Sequence, residues 1–301
     1  MPELPEVETV SRELNKSLKN RIFKSVIVRV PKMVLPLSAE DFVTGLAKKK
    51  VLSVSRRAKI VVISLSHNQF LLVHLKMTGQ LIFVPKTGKA VVGGHPQKPP
   101  QSEIINSISR GKVGIDLPHK YTRVEFNFTD GSTLYFNDLR KFGWLKLVNE
   151  QEKNLLLDPH GVEPLSKQFT LPLFTELLTK YPNRTIKQTL FDQHLIAGMG
   201  NIYIDEACFN AQVLPTRKIL SLTKTEIAKL HQAIVTVLKL SIKMKGTSAR
   251  NYVTSTGEKG GFVKYLNVYG RANLPCKTCG TKISKIKHAG RGTHFCEKCQ
   301  K

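Results

Sequence analysis

The feature that most constrains the fold is a change of hydrophobic period near residue 148. Before it, the apolar residues fall in short β-branched runs at 22–30, 51–54, 60–65, 70–75, 80–84 and 133–136, and Val124, Phe126 and Phe128 alternate up to an Asp130-Gly131 turn. Many short strands in a row predict a β-sandwich or barrel. A helix precedes them, because Val7, Val10, Leu14 and Leu18 recur at helical spacing with polar residues between. After Val148 the pattern turns helical, at 165–181, at 185–194 and from a Thr223-x-x-Glu226 capping box to Gly246. Residues 262–269 read as strand-like. The segment 85–120, with Gly93-Gly94-His95-Pro96 and a short apolar stretch at 104–108, reads as a mobile basic loop, and 247–261 as a second flexible loop.

Charge narrows the function. Lys and Arg number 47 against 22 acids, a net charge of +25, far more than solubility requires, and a polyanionic partner is expected. No apolar run reaches membrane-spanning length and the charged N-terminus is not a secretory signal, so a cytoplasmic location is expected. Four of five cysteines lie in the last 26 residues as Cys276-x2-Cys279 and Cys296-x2-Cys299, a zinc-ribbon spacing that predicts one structural Zn2+. The ribbon is rich in lysine, and with Arg291 it suits a phosphate backbone. Cys208, in an apolar run, reads as a buried inert thiol.

The N-terminus, Met1-Pro2-Glu3-Leu4-Pro5-Glu6, carries the sharpest chemistry. With Met1 removed, Pro2 is a secondary amine that attacks latent aldehydes to give a cationic iminium, and Glu3 beside it is a proton shuttle. The bland alternative is a helix start with acids at the positive end of the dipole. Three further stretches have two readings each. Arg56-Arg57-Ala58-Lys59 is by default a solvated hairpin turn, or else a proton-relaying lysine. The strand ends at 74–79 and 137–143 expose Met77, Arg140 and Phe142 as wedges for a base stack, or bury Met77 and Phe142 in the core. Gly198-Met199-Gly200 before a new helix near Asn201 offers backbone amides to an anion, with phosphate the expected one, or is a plain packing corner. Glu206 caps or buttresses.

In one order along nearly the whole chain, Pro2-Glu3-Leu4-Pro5-Glu6, Arg57-Ala58-Lys59, Asp138-Leu139-Arg140-Lys141-Phe142-Gly143, Gly200-Asn201-Ile202-Tyr203 and the closing ribbon resemble the bacterial formamidopyrimidine-DNA glycosylase family. The resemblance implies an α+β protein: an N-terminal β-sandwich with flanking helices, and a C-terminal helix-two-turn-helix domain ending in a zinc ribbon. The expected divisions are 1–149 for the catalytic sandwich, 150–264 for the helix-two-turn-helix domain with its lesion-recognition loop, and 265–301 for the ribbon. It implies a monomeric base-excision repair enzyme, working on the nucleoid, that removes 8-oxoguanine and formamidopyrimidines from double-stranded DNA and cleaves at abasic sites. In that family the residue matching Pro2 attacks C1′ and that matching Glu3 assists sugar-ring opening. The residue matching Lys59 transfers protons and contacts phosphate, and that matching Arg291 holds the phosphates flanking the lesion. Met77, Arg140 and Phe142 match the trio that fills the gap of the flipped base. Asn201 matches the helix-two-turn-helix asparagine at the DNA backbone, and Arg184 alone supplies charge where the family's basic residue before that motif aligns near Asn183-Arg184. His74 is placed with the DNA-facing residues, and Glu6 and Glu206 are supporting carboxylates. One departure is the run Lys120-Tyr121-Thr122-Arg123, where relatives carry a DNA-binding histidine, so Tyr121 or Arg123 takes that place. The rivals are an endonuclease VIII-like enzyme for oxidised pyrimidines, against which Leu4 and the 139–142 tip speak, and a non-catalytic DNA-binding relative, which would lack Pro2, Glu3 or Lys59.

Overall fold

The computed structural model describes residues 1–87, 91–94, 117–247 and 260–301, with backbone alone for 91–94. Two compact units divide the described chain. The first holds Met1–Pro2, Gly260 and the described residues of Glu6–Leu157; the second holds Glu3–Pro5 and the described residues of Asp158–Ala249 and Gly261–Lys301.

Two antiparallel sheets build the first unit. One has the order β1 (Phe23–Val28), β7 (Thr122–Phe128), β8 (Thr133–Asp138), β5 (Gly79–Val84) and β6 (Val91–Gly94); the other runs β2 (Val51–Arg57), β3 (Ile60–Leu65), β4 (Gln69–His74) and β9 (Trp144–Asn149). Their inward residues, among them Leu81, Phe83, Val124, Phe126 and Phe136 from one sheet and Val61, Ile63, Leu71 and Val73 from the other, form one core with Val7, Val10, Leu14 and Leu18 of α1 (Leu4–Leu18). The pleat sends the alternate residues Ile60, Val62, Leu72 and Val148 to the other face, where Leu157 of α3 (Glu150–Leu157) packs on them. Burial on both faces explains why β3 is apolar at every position but Ser64. The sandwich expected from the short β-branched runs is what forms.

Several elements depart from the sequence reading. α2 (Ala39–Leu46) was not anticipated, although Ser38 caps it by accepting from the Asp41 amide at 3.0 Å. Gly93-Gly94 is not loop but part of β6, paired to Leu81 and Gln80; the rest of the expected basic loop, with its apolar stretch at 104–108, lies outside the described residues. Most of the expected 247–261 loop does so too.

The second unit is helical: α4 (Leu171–Thr179), α5 (Ile186–Phe191), α6 (Asn201–Asn210) and α7 (Lys224–Lys243) share a core centred on Tyr203, Ile204, Leu230 and Ile234. The Thr223 capping box forms as read, with Thr223 N–H donating to Glu226 at 2.8 Å. Residues 165–169 stay outside α4, which starts at a Thr170 cap with Pro172 in its first turn. The strand expected at 262–269 is instead a 3-10 turn, Phe262–Tyr265, whose Phe262 fills the helical core. A hairpin of β10 (Ser284–His288) and β11 (Arg291–Phe295) closes the chain, its tip made by the left-handed pair Ala289 (φ 49°) and Gly290 (φ 73°). Among the described residues no helix is long and apolar enough to cross a membrane. Cys208 is fully buried, which pushes its thiol pKa up, in line with an inert side chain.

Candidate nucleic-acid interface and reaction site

In the second unit the Gly198–Gly200 segment receives Glu3. Leu4 N–H donates to the Gly198 carbonyl at 3.1 Å, and the Ile202 amide in the first turn of α6 points at Glu3 Oε1, 3.4 Å away. A Cβ on Gly200 would lie 2.1 Å from the Glu3 carboxylate carbon, and one on Gly198 (φ 82°) would lie 2.8 Å from the Leu4 side chain. Both positions therefore require glycine, the second also for its left-handed backbone. The chain's own Glu3 carboxyl, buried, thus lies at this helix start.

The turns joining α5 to α6 hang on Gln193, whose amide donates to the Phe191 and Met199 carbonyls at 3.0 and 2.9 Å and accepts from Gly198 N–H at 3.0 Å. Composition offered no cue to that role. A second feature missed by sequence reading is a buried ion pair: Lys187 Nζ lies 2.6 Å from Asp205 Oδ1, with both side chains sealed from solvent. Asp205 Oδ2 also accepts from the His294 amide at 2.9 Å, and Lys187 reaches the Gly292 carbonyl at 3.3 Å. Asn201 Nδ2 donates to that same carbonyl at 2.9 Å. The helix corner and the hairpin that presents Arg291 are thus tied together, and the exposed Arg291 guanidinium sits 5.1 Å over the Phe191 ring. A signal was available, since acids at 205 and 206 interrupt a helix that is apolar on every other side. Glu206 is a buttress, accepting from the amides of Asn267, Val268 and Tyr269 at 2.9 Å each; burial pushes its carboxyl pKa up while those donors oppose the shift. Arg184 lies over Tyr181 at 4.1 Å and donates to Asp192 at 3.1 Å, partly exposed before α5.

Cys276, Cys279, Cys296 and Cys299 bring their four sulfurs within 4.8 Å of one another, with 3.8 and 3.5 Å between the 276/299 and 279/296 pairs. Tetrahedral zinc with bonds of about 2.3 Å sets its sulfurs about 3.8 Å apart, so this cluster fits one structural ion. Val268, Ile283 and Phe209 supply the small apolar core around it.

In the first unit, Pro2 is buried and Met1 is 40% exposed. Lys59 follows the β2–β3 turn at Ala58 (φ 52°), beside the Ile60–His74 pairing of β3 and β4. It is buried, which overturns the default of a solvated turn. Arg56 is anchored as well, donating to Glu8 of α1 at 2.7 Å. Glu6 is buried in the same unit. His74 is half-buried, its Nδ1 accepting from Lys76 N–H at 2.9 Å, its ring 5.5 Å from Trp144. Met77, Arg140 and Phe142 are exposed at neighbouring tips, Arg140 4.6 Å over the Phe142 ring, which removes the core reading for Met77 and Phe142. Tyr121 is half-buried with Lys120 over its ring at 5.2 Å. Arg123 is buried and donates to the Asp138 and Lys120 carbonyls at 2.8 and 3.0 Å, which makes it a structural residue and leaves Tyr121 as the candidate at that position.

Comparison with known proteins follows these features closely. Residues 1–145 match the formamidopyrimidine-DNA glycosylase N-terminal domain, 160–253 its H2TH domain and 273–301 the zinc finger found in FPG and IleRS. The formamidopyrimidine-DNA glycosylase of Cytobacillus firmus is 39% identical over 303 residues, covering 100% of each chain. Two solved structures of the Lactococcus lactis protein are 33% identical and cover 99% of each chain: a variant bound to Fapy-dG DNA, with a TM-score of 0.83, and a complex with abasic-site DNA, at 0.82.

Proposed function

Because the chain belongs to the formamidopyrimidine-DNA glycosylase family, we propose that it is a base-excision repair enzyme that removes oxidised purines from duplex DNA and cleaves the resulting abasic site. The observation that carries this reading is the glycine cradle for Glu3 and Leu4. A chain terminus usually frays, yet here the Leu4 amide is tied to the Gly198 carbonyl, and the Glu3 and Leu4 side chains fill the space that a Cβ on Gly200 or Gly198 would need.

The Pro2 nitrogen, freed by loss of Met1, forms a bond to C1′ as the bond from C1′ to the base breaks, and the proton that Pro2 sheds passes to the departing base. The Glu3 carboxyl delivers a proton to the ring oxygen, the ring opens, and an iminium remains between Pro2 and C1′. That cation acidifies the C2′ protons, and Lys59 carries the proton transfer that expels the 3′ phosphate. Arg291 grips the flanking phosphates and supports the second elimination, at the 5′ side. Met77, Arg140 and Phe142 fill the stack, offsetting the few kcal/mol that base extrusion costs. His74, Tyr121, Arg184 and Asn201 contact DNA, while Glu6 and Glu206 support the scaffold. The roles divide as 1–149 for catalysis, 150–264 for the helix-two-turn-helix grip and 265–301 for the zinc ribbon. The zinc holds the ribbon's fold. The enzyme works in the cytoplasm on nucleoid DNA.

Borohydride trapping tests this. Protein verified by mass to lack Met1 should form a covalent adduct with an 8-oxoguanine duplex, and Pro2→Gly should weaken it. Absence of an adduct with both purine and pyrimidine lesions would overturn the enzyme reading. An adduct confined to oxidised pyrimidines would overturn the substrate class alone.

A further inference from the structure

The sequence presents the two wedge tips as separate strand ends, 74–79 and 137–143. They are neighbours because β5 and β8 pair with Gly79 opposite Asp138. Asp138 is the last residue of β8 and completely buried; Arg123 acts on it through space and donates to its backbone carbonyl, and among the described contacts no lysine or arginine side chain donates to its carboxylate. Its partners are the tips themselves. Oδ2 accepts from the amides of Phe142 at 2.8 Å and Gly143 at 2.7 Å, and Oδ1 accepts from Arg140 N–H at 3.2 Å and from the Thr78 hydroxyl. Thr78 Oγ1 in turn accepts from Arg140 N–H at 3.0 Å. One carboxylate and one hydroxyl therefore join the turn that carries Met77 to the turn that carries Arg140 and Phe142.

The backbone around this knot is shaped to it. Lys76 (φ 50°) and Lys141 (φ 56°) are both left-handed without being glycine, a conformation that persists where surrounding contacts over-determine it. A Cβ on Gly143 would lie 2.7 Å from the Phe136 ring and 3.2 Å from Asp138 Oδ2, and one on Gly79 would lie 2.3 Å from the Leu75 carbonyl. The buried charge is stabilised by aligned N–H dipoles, which hold the tips only while they keep this geometry.

We propose that Thr78 and Asp138 are positioning residues that clamp Met77, Arg140 and Phe142 into a single preformed wedge, so that the three side chains enter the base stack as one unit. This rests on the wedge role assigned to the trio above. Its consequence is selective: loosening the clamp slows extrusion of a stacked lesion and spares the chemistry at a site whose base is already gone, where there is least to unstack.

The test compares parent, Thr78→Val and Thr78→Ser in single-turnover reactions on two duplexes of one sequence, carrying either 8-oxoguanine or a preformed abasic site. A 2-aminopurine beside the lesion reports wedge entry by its fluorescence. Thr78→Val keeps the side-chain shape and removes the hydroxyl, so lesion excision and the fluorescence rise should slow by about tenfold (~1.4 kcal/mol on the barrier), with abasic cleavage changed by less than about twofold. Thr78→Ser should restore both. Unchanged excision in Thr78→Val, or equal slowing on both duplexes, would overturn the clamp while leaving the activity standing. A parent protein that traps neither lesion would overturn the function beneath it and the clamp with it.

Discussion

Asp138 and Asp205 are both completely buried carboxylates, one in each unit, and they are satisfied in opposite ways. Asp205 faces a full positive charge, Lys187, and bridges elements remote in sequence, α5, α6 and β11. Asp138 takes backbone amides and one hydroxyl from two tips at the end of its own sheet. The ion pair locks a scaffold, since neither partner tolerates being left alone in a low-dielectric interior. The amide cradle instead sets the shape of a surface: its donors are spread over several peptide units, and each is worth little singly. Charge pairing thus joins elements remote in sequence, and dipole pairing joins the two tips that carry the exposed Met77, Arg140 and Phe142.

The comparison breaks if the two carboxylates respond alike to neutralisation. Asp205→Asn strands a buried ammonium and should cost roughly 3–5 kcal/mol of unfolding free energy by denaturant titration, whereas replacing both partners, Asp205→Leu with Lys187→Met, should recover most of it. A double variant as unstable as the single one would show that the pair is not the source. Asp138→Asn keeps one acceptor oxygen and loses the other, so a smaller loss of about 1–3 kcal/mol is expected. A loss matching that of Asp205→Asn would erase the distinction. The smallest effect belongs to a more exposed carboxylate, Glu226, which the Arg217 guanidinium, above all, and the Thr223 cap pull down to about 2 from 4.5. Its folded-state pKa is depressed, so its stabilisation is present above about 4.5 and is lost as pH falls through about 2. Glu226→Gln should cost under about 1 kcal/mol at neutral pH, because solvent screens the pair. The stability curves of parent and variant should then converge on acidification, and parallel curves would refute the assigned ionisation.

Much of the fold was legible because its determinants are local. The β-branched runs, the Asp130-Gly131 turn and the Thr223 cap each depend on neighbours within a few residues. The misses have a common cause. α2 is only eight residues long and weakly periodic, and residues 262–269 look like a strand because Phe262, Val263, Tyr265, Leu266 and Val268 suit burial of any kind. For the site, the resemblance pointed to Pro2, Glu3, Lys59 and Arg291. It carried no information on Gln193, Lys187 or Thr78, whose partners are several to many residues away.

The sequence by itself determined the chemistry on offer: a proline that becomes a secondary amine once Met1 is lost, a carboxylate beside it, a four-cysteine metal site and a large positive charge. These are properties of residue type and spacing, and no packing alters them. Only the tertiary structure decided how each buried charge is met. What lies at the start of α6, whether Lys59 is solvated, and what joins the 74–79 and 137–143 tips all depend on groups that the chain separates and the fold juxtaposes. Burial converts such contacts from near-neutral exchanges with water into large obligations.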